Sequence, residues 1–408
     1  MQAILSLPSH QPEDEMLKTN CVALQMRSPI YLDHNATTPV DPRVLAAMLP
    51  YFTERFGNAA SRTHSFGWIA EDAVNIARTQ VADLIGAESQ EIVFTSGATE
   101  AINLGIKGVY QKYHQKGNHI ITAATEHKAV LDTCRTLEKA GAEITILPVD
   151  QAGNIDLAEL EKSIRPDTIL VCLMHANNET GLIHPVDQIA RIVHQKDSLF
   201  FCDATQALGK IQVDVKDIPI ALLAMSAHKL YGPKGTGALF VRRKNPRVSL
   251  SAQMDGGGHE NGLRSGTLNV PGIVGFGKAA EIAKAAMWDD AVIQSRLRTK
   301  LEQFLLDLGQ VYINGNMRDR LPNTTNLSFA GIRADELIIL LKDMAFSAGS
   351  ACTSATPEPS HVLRAMHLNN ELAFAAVRFS LGRGTTEEEI DFAIAQTTLA
   401  VNQLRTQR

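Results

Sequence analysis

The chain has 408 residues, of which 45% are hydrophobic and 20% are charged, and this composition excludes a collagen, a coiled coil and an extended disordered chain. Its 39 basic and 44 acidic residues give a net charge of −5 without a block of one sign, so no nucleic-acid-binding surface is expected. The five cysteines form no C-x-x-C pair, which argues against a disulfide framework or a zinc ribbon and favours the cytoplasm. No apolar run is long enough to cross a bilayer, so no membrane partner is expected.

Residues 1–28 mix proline, glutamine and acidic residues without periodicity, which predicts a poorly ordered leader. From residue 89 to residue 241, short apolar runs alternate with amphipathic ones. This alternation predicts an α/β fold with a mostly parallel sheet covered by helices on both faces. The predicted strands are Glu91–Phe94, His119–Ala123, Glu143–Pro148, Thr168–Met174, Ser198–Asp203, Ile220–Ser226 and Ala238–Val241. Helices are predicted between several of them, at Ala129–Ala140, Leu157–Ile164 and Val186–His194.

A glycine-rich break at Gly256–Gly266 separates this region from a smaller α+β region. We predict a long helix over Gly275–Leu308, strands at Asn326–Phe329 and Arg378–Leu381, and a closing helix that begins with the capping box Thr386 and Glu389. Residues 29–285 are therefore expected to form a large domain, whose first residues join the small domain, and residues 286–408 to form the small domain.

Lys229 follows directly on a buried strand and precedes a Gly/Pro turn, in the segment Ser226–Gly235. The carboxyl end of a strand is where open α/β sheets bind ligands. Burial there can lower the pKa of a lysine enough to make its amine a nucleophile for a Schiff base. The alternative is a solvated lysine in a β-turn, which is the commoner situation for this residue type.

Other predicted strands of the same sheet also lead into polar residues. Asp203 ends a strand although aspartate is rare there, so it should have a partner, either a protonated pyridine nitrogen or a helix N-terminus. The segment Phe94–Glu100 predicts free N–H groups at a helix start, which form either an anion site or a well-capped helix. His127 could stack on a planar cofactor and carry protons, or be a hydrogen-bonded structural residue. Asn178 has the equivalent place after Thr168–Met174.

An anion cradle, a partner for a ring nitrogen and a reactive amine at one edge of a sheet together describe a site for pyridoxal phosphate. The chemistry of this coenzyme needs a lysine Schiff base and an acidic group beside its ring nitrogen. No metal site is predicted, because His259 and Glu260 do not continue into H-E-x-x-H.

Cys352 differs from the other cysteines because it lies in a run of small and polar residues, Ser347–Pro357, that cannot build a core. We expect an exposed thiol on a mobile loop, and interpret it as a nucleophile rather than an accident of sequence. Cys134, Cys172 and Cys202 lie in apolar or helical patterns and are expected to be inert core thiols.

With these motifs the chain resembles the class I cysteine desulfurases, the IscS/NifS group of fold-type I pyridoxal-phosphate enzymes, from Ile30 to about Leu404. Although His34 and Ala59 differ from the residues more usual there, six motifs occur in the family's order. They are Ala36–Pro39, Thr95–Glu100, Thr125–Lys128, Asp203–Gln206, His228–Lys229 and Gly349–Ser354. The stretch Ser350–Leu363 is similar to the long cysteine loop of class I.

The resemblance implies a role for each matching residue. Lys229 would hold the coenzyme and move the Cα proton, Asp203 would pair with the ring nitrogen, and Gln206 would bind the ring oxygen. His127 would stack on the ring as acid–base catalyst. The remaining matches are the phosphate cradle of Ala98, Thr99, Ser226 and His228, the clamp on the substrate carboxylate formed by Asn178 and Arg378, and Thr267, which would reach the phosphate of a neighbouring subunit in a homodimer. Asn178 would also contact the coenzyme.

The resemblance also implies the reaction. L-cysteine would lose its sulfur to Cys352, giving L-alanine and a persulfide that passes to an acceptor protein. The acceptor stays open among iron–sulfur cluster assembly, nucleic-acid thiolation and phosphorothioation, since the chain ends at Arg408 without the tail by which the housekeeping branch docks its scaffold. Two alternatives are another fold-type I enzyme, such as an aminotransferase or a selenocysteine lyase, and a protein that acts chiefly as an interaction hub for sulfur carriers.

Overall fold

The structure is a computed structural model that describes residues 29–348 and 358–407, and its centre is a seven-stranded sheet. In spatial order the strands are β2 (Ile92–Thr95), β8 (Gly237–Val241), β7 (Leu222–Ser226), β6 (Leu199–Asp203), β5 (Thr168–Met174), β3 (His119–Ala123) and β4 (Glu143–Leu147). Within this sheet β8 alone runs opposite to the other six strands. The predicted mostly parallel sheet is confirmed, and each predicted strand is present with its ends displaced by two residues or fewer.

Both faces of this sheet are buried. Alternate residues of β5 pack into different cores, with Val171 and Leu173 in one and Leu170 and Cys172 in the other. This is why the strand is an unbroken apolar run. One core is covered by the helices Ala98–Tyr113 and Lys128–Glu138, and the other by Ser65–Ile85, Val186–Gln195 and part of Val270–Leu306.

A second, four-stranded antiparallel sheet lies in the C-terminal part of the chain. Its order is β12 (Ser347–Ala348), β13 (Ala376–Ser380), β10 (Thr324–Phe329) and β9 (Val311–Ile313). Beside it, β1 (Ile30–Tyr31) pairs in parallel with β11 (Met344–Ala345). The apolar face of this sheet packs with the end of the long helix and with the closing helix Glu387–Thr406.

The helix Val270–Leu306 contributes Phe276 to a core of the large sheet and Leu301 to the core of the small one. It therefore runs across the predicted domain boundary at residues 285 and 286, which stays a prediction. The closing helix begins as predicted, because the Thr386 hydroxyl accepts the Glu389 N–H and the Glu389 carboxylate accepts the Thr386 N–H. The shorter helices are Pro42–Met48, Pro50–Thr53, Leu157–Ser163, Ala334–Leu340, His361–Ala365 and Asn370–Phe374.

A membrane-spanning segment requires a long and strongly apolar helix. Among the helices of residues 29–348 and 358–407, none meets both conditions.

Candidate active site

The carboxyl ends of the parallel strands open onto a cavity of about 680 Å³. Parallel strands end at the same edge of a sheet, so residues that lie far apart in the chain meet there. The structure brings together in the cavity wall most of the residues that the sequence singles out: Ala98, Thr99, His127, Asn178, Asp203, Gln206, Ser226, His228, Lys229 and Arg378.

Lys229 ends a short 3₁₀ turn that directly follows β7. Its Nζ donates to the carbonyl oxygens of Asn35, at 2.5 Å, and of Ala36, at 2.6 Å. Burial, followed by the positive charge of Arg378, lowers the pKa of Lys229 to about 8. About a tenth of this amine is thus unprotonated at pH 7, far more than for an ordinary lysine, as a nucleophilic lysine requires.

Asp203 closes β6 and is only 6% exposed. Its Oδ1 accepts the N–H of Thr205 at 3.0 Å, and no lysine or arginine among the described residues forms an ion pair with it. The Thr205 hydroxyl beside it is buried without a partner. A buried carboxylate is stable only when a positive group or several hydrogen bonds compensate its charge. The geometry therefore suits a cationic group of a ligand.

His127 caps the helix Lys128–Glu138, because its Nδ1 accepts the N–H of Ala129 at 3.1 Å. That contact places the ring proton on Nε2. Loss of hydration is the main cause that lowers the pKa of His127, and the charge of Asp203 partly opposes it. The imidazole is consequently neutral near pH 7 and able to accept or donate a proton inside the cavity.

A helix N-terminus forms another wall of the cavity. In the helix Ala98–Tyr113 the N–H of Ala101 bonds to the carbonyl of Gly97, whereas the preceding N–H groups have no acceptor within the helix. Gly97 has φ of +153°, a conformation that side chains with a Cβ rarely adopt. His228 and Ser226 lie in the same wall, and burial lowers the pKa of His228 to about 4, so its ring is uncharged. Such a wall suits a phosphate.

Arg378 projects from β13 of the small sheet into the same cavity. Its Nη2 donates to Asp33 at 2.6 Å and to Ser347 at 2.9 Å, and its Nη1 donates to the carbonyl of Asn178 at 2.9 Å. The Nε is buried and has no partner. Three of its five N–H groups are thus used, and a guanidinium held so firmly in the cavity wall is suited to bind the carboxylate of a ligand.

One of the predicted site residues that the structure describes is not in this wall. Thr267 is exposed, in a loop that an ion pair between Arg264 and Glu100 joins at 2.8 Å to the helix Ala98–Tyr113. Cys352 lies outside the described residues. A second cavity of about 810 Å³ is lined by Ala348 and Glu358, which flank the segment of Cys352, and it shares His127, Asn178 and Arg378 with the first cavity.

The three remaining cysteines of the described chain are free and buried, as predicted: Cys134, Cys172 and Cys202. Burial raises the pKa of the Cys172 and Cys202 thiols well above their usual value. Neither thiol is able to form the thiolate that a cysteine nucleophile needs.

Sequence reasoning missed Asn35 and Lys210, which are central to the hydrogen bonding under the cavity. Asn35 accepts from Lys229 and Gln206 through its carbonyl oxygen and from Lys210 through its side chain. Asn35 immediately precedes the Ala36–Pro39 motif, and Lys210 follows Gln206 by four residues. Their closeness in sequence to predicted site residues was the signal that could have identified them.

Residues 30–392 match the family model described as aminotransferase class-V. The chain is 55% identical over 384 residues to "Cysteine desulfurase IscS" of Anaeromyxobacter dehalogenans, with 93% of this chain and 94% of that protein covered. It is 54% identical over 382 residues to the protein of the same name from Proteus mirabilis, with the same coverage. Its structure is similar to a "NIFS-LIKE PROTEIN", with a TM-score of 0.86, 39% identity and 92% and 100% of the two chains covered. It also resembles DndA from Streptomyces lividans, with a TM-score of 0.74, 40% identity and 85% and 97% covered.

Proposed function

The chain belongs to the aminotransferase class-V family and is a cysteine desulfurase that depends on pyridoxal phosphate; from this premise we propose which of its residues carry the reaction. The residues present fit the coenzyme, because the cavity offers a buried carboxylate without a described cation, an amine of lowered pKa and a helix N-terminus. Asp203 would hold the ring nitrogen, Gln206 the ring oxygen and Lys229 the aldehyde carbon. When bound, the coenzyme supplies a ring that withdraws electrons from the substrate Cα.

The phosphate would lie at the wall formed by Ala98, Thr99, Ser226 and His228. The observation that carries the whole assignment is that Lys229 and Asp203 line the same cavity without forming an ion pair. Among the described residues the amine donates only to carbonyl oxygens, and the carboxylate forms no ion pair with any lysine or arginine. A buried carboxylate and a largely buried amine that form no ion pair with each other are expected where both are reserved for one ligand.

The residues of the chain then act in sequence on L-cysteine. Arg378 and the Asn178 side chain bind the substrate carboxylate and so fix the direction of the Cα–H bond. The free amine of Lys229 takes the Cα proton, and His127 exchanges a second proton with the substrate. Because the pKa of Lys229 is about 8, the amine is basic enough for this step and not permanently protonated.

Cys352 receives the sulfur. Its thiolate attacks the substrate sulfur, the carbon–sulfur bond breaks, and the electron pair of that bond goes to the organic fragment. The fragment takes up protons, in which Lys229 and His127 act as donors, and leaves as L-alanine. A persulfide remains on Cys352, and an acceptor protein removes it in a second thiol exchange.

The role of Cys352 is tested by Cys352→Ser, with Cys21→Ser as the matched control. We expect Cys352→Ser to keep the visible absorption of the coenzyme and to lose sulfur release by a factor on the order of 10² or more. Lys229→Ala is expected to lose the visible band itself. Full sulfur release by Cys352→Ser, measured as alanine and sulfide from L-cysteine, would show that another thiol is the nucleophile.

We also propose that the enzyme is a homodimer. Four aromatic side chains near one another in sequence are exposed, with exposures from 48% to 64%, and we call them the aromatic face: Phe52, Phe56, Phe66 and Trp68. A cavity beside this region is lined by Ala59 and Arg62 on one side and by Gly258 and Leu268 on the other. The aromatic face is thus next to the loop that carries Thr267. Exposed aromatic clusters of this kind mark interaction sites, and a second copy would place its Thr267 at the phosphate wall.

Trp68→Asp is expected to give monomers in analytical ultracentrifugation and to weaken coenzyme binding. Trp288→Asp is the matched control, because Trp288 is 62% exposed on the long helix, outside the aromatic face. A Trp68→Asp protein that remains dimeric would place the interface elsewhere. A monomer that binds the coenzyme as the wild type does would show that no partner residue reaches the phosphate.

The sulfur acceptor is proposed to be a cytoplasmic protein of iron–sulfur cluster assembly or of nucleic-acid thiolation or phosphorothioation. Similarity to both IscS and DndA proteins supports this range. Mass spectrometry of proteins that take radioactive sulfur from the Cys352 persulfide distinguishes the three. Sulfur that is released only as free sulfide, with each candidate protein present, would contradict a protein acceptor.

A further inference from the structure

Lys210 lies beneath the cavity and contacts a residue of its wall. It follows Gln206 by four residues in a turn after β6, where Leu208 bonds to the carbonyl of Ala204 and Lys210 to that of Ala207. A spacing of four in such a turn brings the two side chains to one face. The Lys210 Nζ donates to Oε1 of Gln206 at 2.6 Å and to Oδ1 of Asn35 at 3.0 Å.

These contacts fix which end of the Gln206 amide faces the cavity. The amide Nε2 donates to the carbonyl oxygen of Asn35 at 2.9 Å, and a carbonyl is only an acceptor. At the other end the Lys210 amine supplies a hydrogen to Oε1. Both neighbours require the same orientation of the Gln206 amide. Because Gln206 is only 5% exposed, bulk water does not compete for these hydrogen bonds. One hydrogen of Nε2 is then unused and available to a ligand in the cavity.

Asn35 is itself fixed independently of Lys210. Its Nδ2 donates to the carbonyl of Asn178 at 3.2 Å and to the hydroxyl of Thr324 at 2.8 Å, so its Oδ1 faces Lys210. Asn323 donates to the same Oδ1 at 3.1 Å. Lys210 is thus the element of this network that bonds directly to the oxygen of Gln206.

We propose that Lys210 is a positioning residue that keeps Gln206 a hydrogen-bond donor toward the ring oxygen of pyridoxal phosphate. This inference rests on the proposed contact between Gln206 and the coenzyme. A donor stabilises the negative ring oxygen most when the lysine-bound imine has lost its proton, so it lowers the pKa of that coloured group. Without Lys210 the oxygen of Gln206 has no partner, the amide turns away, and the pKa rises.

The test is a spectrophotometric pH titration of the coenzyme-loaded enzyme in four forms: wild type, Gln206→Leu, Lys210→Met and the double variant. We expect Gln206→Leu and Lys210→Met each to raise the pKa of the visible band by about one unit, the size that a hydrogen bond to a charged group supports. The double variant should show the shift of one variant and not the sum. Lys284→Met, at an exposed position of the long helix, is the control and should titrate as wild type.

Each outcome is decisive for one of the two proposals. Gln206→Leu without a shift would contradict the contact between Gln206 and the coenzyme. A shift in Gln206→Leu but none in Lys210→Met, or fully additive shifts in the double variant, would overturn the role of Lys210 and leave that contact standing. Lys210→Gln is measured in parallel in case the Met variant does not hold the coenzyme; it should shift in the same direction by a smaller amount, and a titration equal to wild type would also overturn the proposal.

Discussion

The two sheets contribute to the same cavity in opposite ways. The large sheet contributes Asp203 and Lys229, a carboxylate and an amine that form no ion pair within the described chain. The small sheet contributes Arg378, which the structure already pairs with Asp33 at 2.6 Å and with Ser347 at 2.9 Å. One region keeps its charged groups available, and the other holds its charged group in place.

This difference indicates a division of labour. Groups without internal partners bind a resident molecule that completes them, which suits the coenzyme. A group that is held by fixed partners and still lines the cavity suits a substrate that comes and goes, because its geometry persists when the site is empty. The small sheet also carries Ser347 at the edge of the segment that contains Cys352. We therefore expect changes in the large sheet to affect kcat and changes in the small sheet to affect KM.

Asp203→Asn gives the largest effect that this comparison predicts. The variant removes the negative charge that would keep the ring nitrogen protonated, so we expect kcat for alanine formation to fall by a factor on the order of 10² to 10³. The KM for L-cysteine should change little. Steady-state kinetics with a matched coenzyme content checks this, and a large rise in KM at constant kcat would reverse the division of labour.

Arg378→Lys tests the other region. Lysine keeps the positive charge but loses the planar fork that serves Asp33, Asn178 and a substrate carboxylate together. We expect KM for L-cysteine to rise by about tenfold or more, with a smaller change in kcat. Arg364→Lys, on a half-exposed arginine of the second cavity, is the control. Equal changes in kcat and KM would show that the guanidinium also acts in the chemical step.

The pKa of Lys229 sharpens the comparison without a mutation. In the coenzyme-free protein the amine is mostly protonated below its pKa of about 8, so the rate of coenzyme attachment should rise about tenfold per pH unit and level off above pH 8. Burying the ammonium destabilises the coenzyme-free fold below pH 8, and this cost is relieved as the pH rises from 8 toward the ordinary value of 10.5. Stopped-flow measurement checks the rate; a profile that is still rising at pH 10 would contradict the lowered pKa.

Thr386→Ala has the smallest expected effect. It removes the hydroxyl that caps the closing helix, and we expect a loss of about 1 kcal/mol in the free energy of unfolding. Because Thr386 is not in either cavity wall, kcat and KM should stay at wild-type values. Thr406→Ala, at the other end of the same helix, is the control. A change in kcat would show that the closing helix is coupled to the active site.

The strands of the large sheet were predictable because each is a short, uninterrupted apolar run bounded by polar residues. The helix Ser65–Ile85 was not predicted from the same sequence. Its buried stripe consists largely of alanines and valines, while Phe66, Trp68 and Ile76 on the other side are exposed. Because apolar residues lie on both faces, the sequence does not show the apolar period of an amphipathic helix. The exposed apolar residues are explained by a partner surface.

The sequence predicted that Lys229, Asp203 and His127 lie close together, because each follows or ends a strand of the same parallel sheet. The structure places all three in the wall of one cavity. The support beneath it was not predictable in this way. Lys210 and Asn35 are 175 positions apart in the chain, and no local sequence pattern predicts a contact between residues so far apart. The catalytic and binding roles of all the site residues stay predictions; Thr267 lies outside the cavity wall, and Cys352 lies outside the described residues.

The 37-residue helix Val270–Leu306 has a consequence for how the protein melts. It extends over roughly 55 Å, and its side chains complete a hydrophobic core at each end. If one core lost its packing, the apolar side chains of the helix at that end would be exposed to water while the other end stayed packed in the second core. Calorimetry should accordingly record one endothermic peak in which both sheets come apart together.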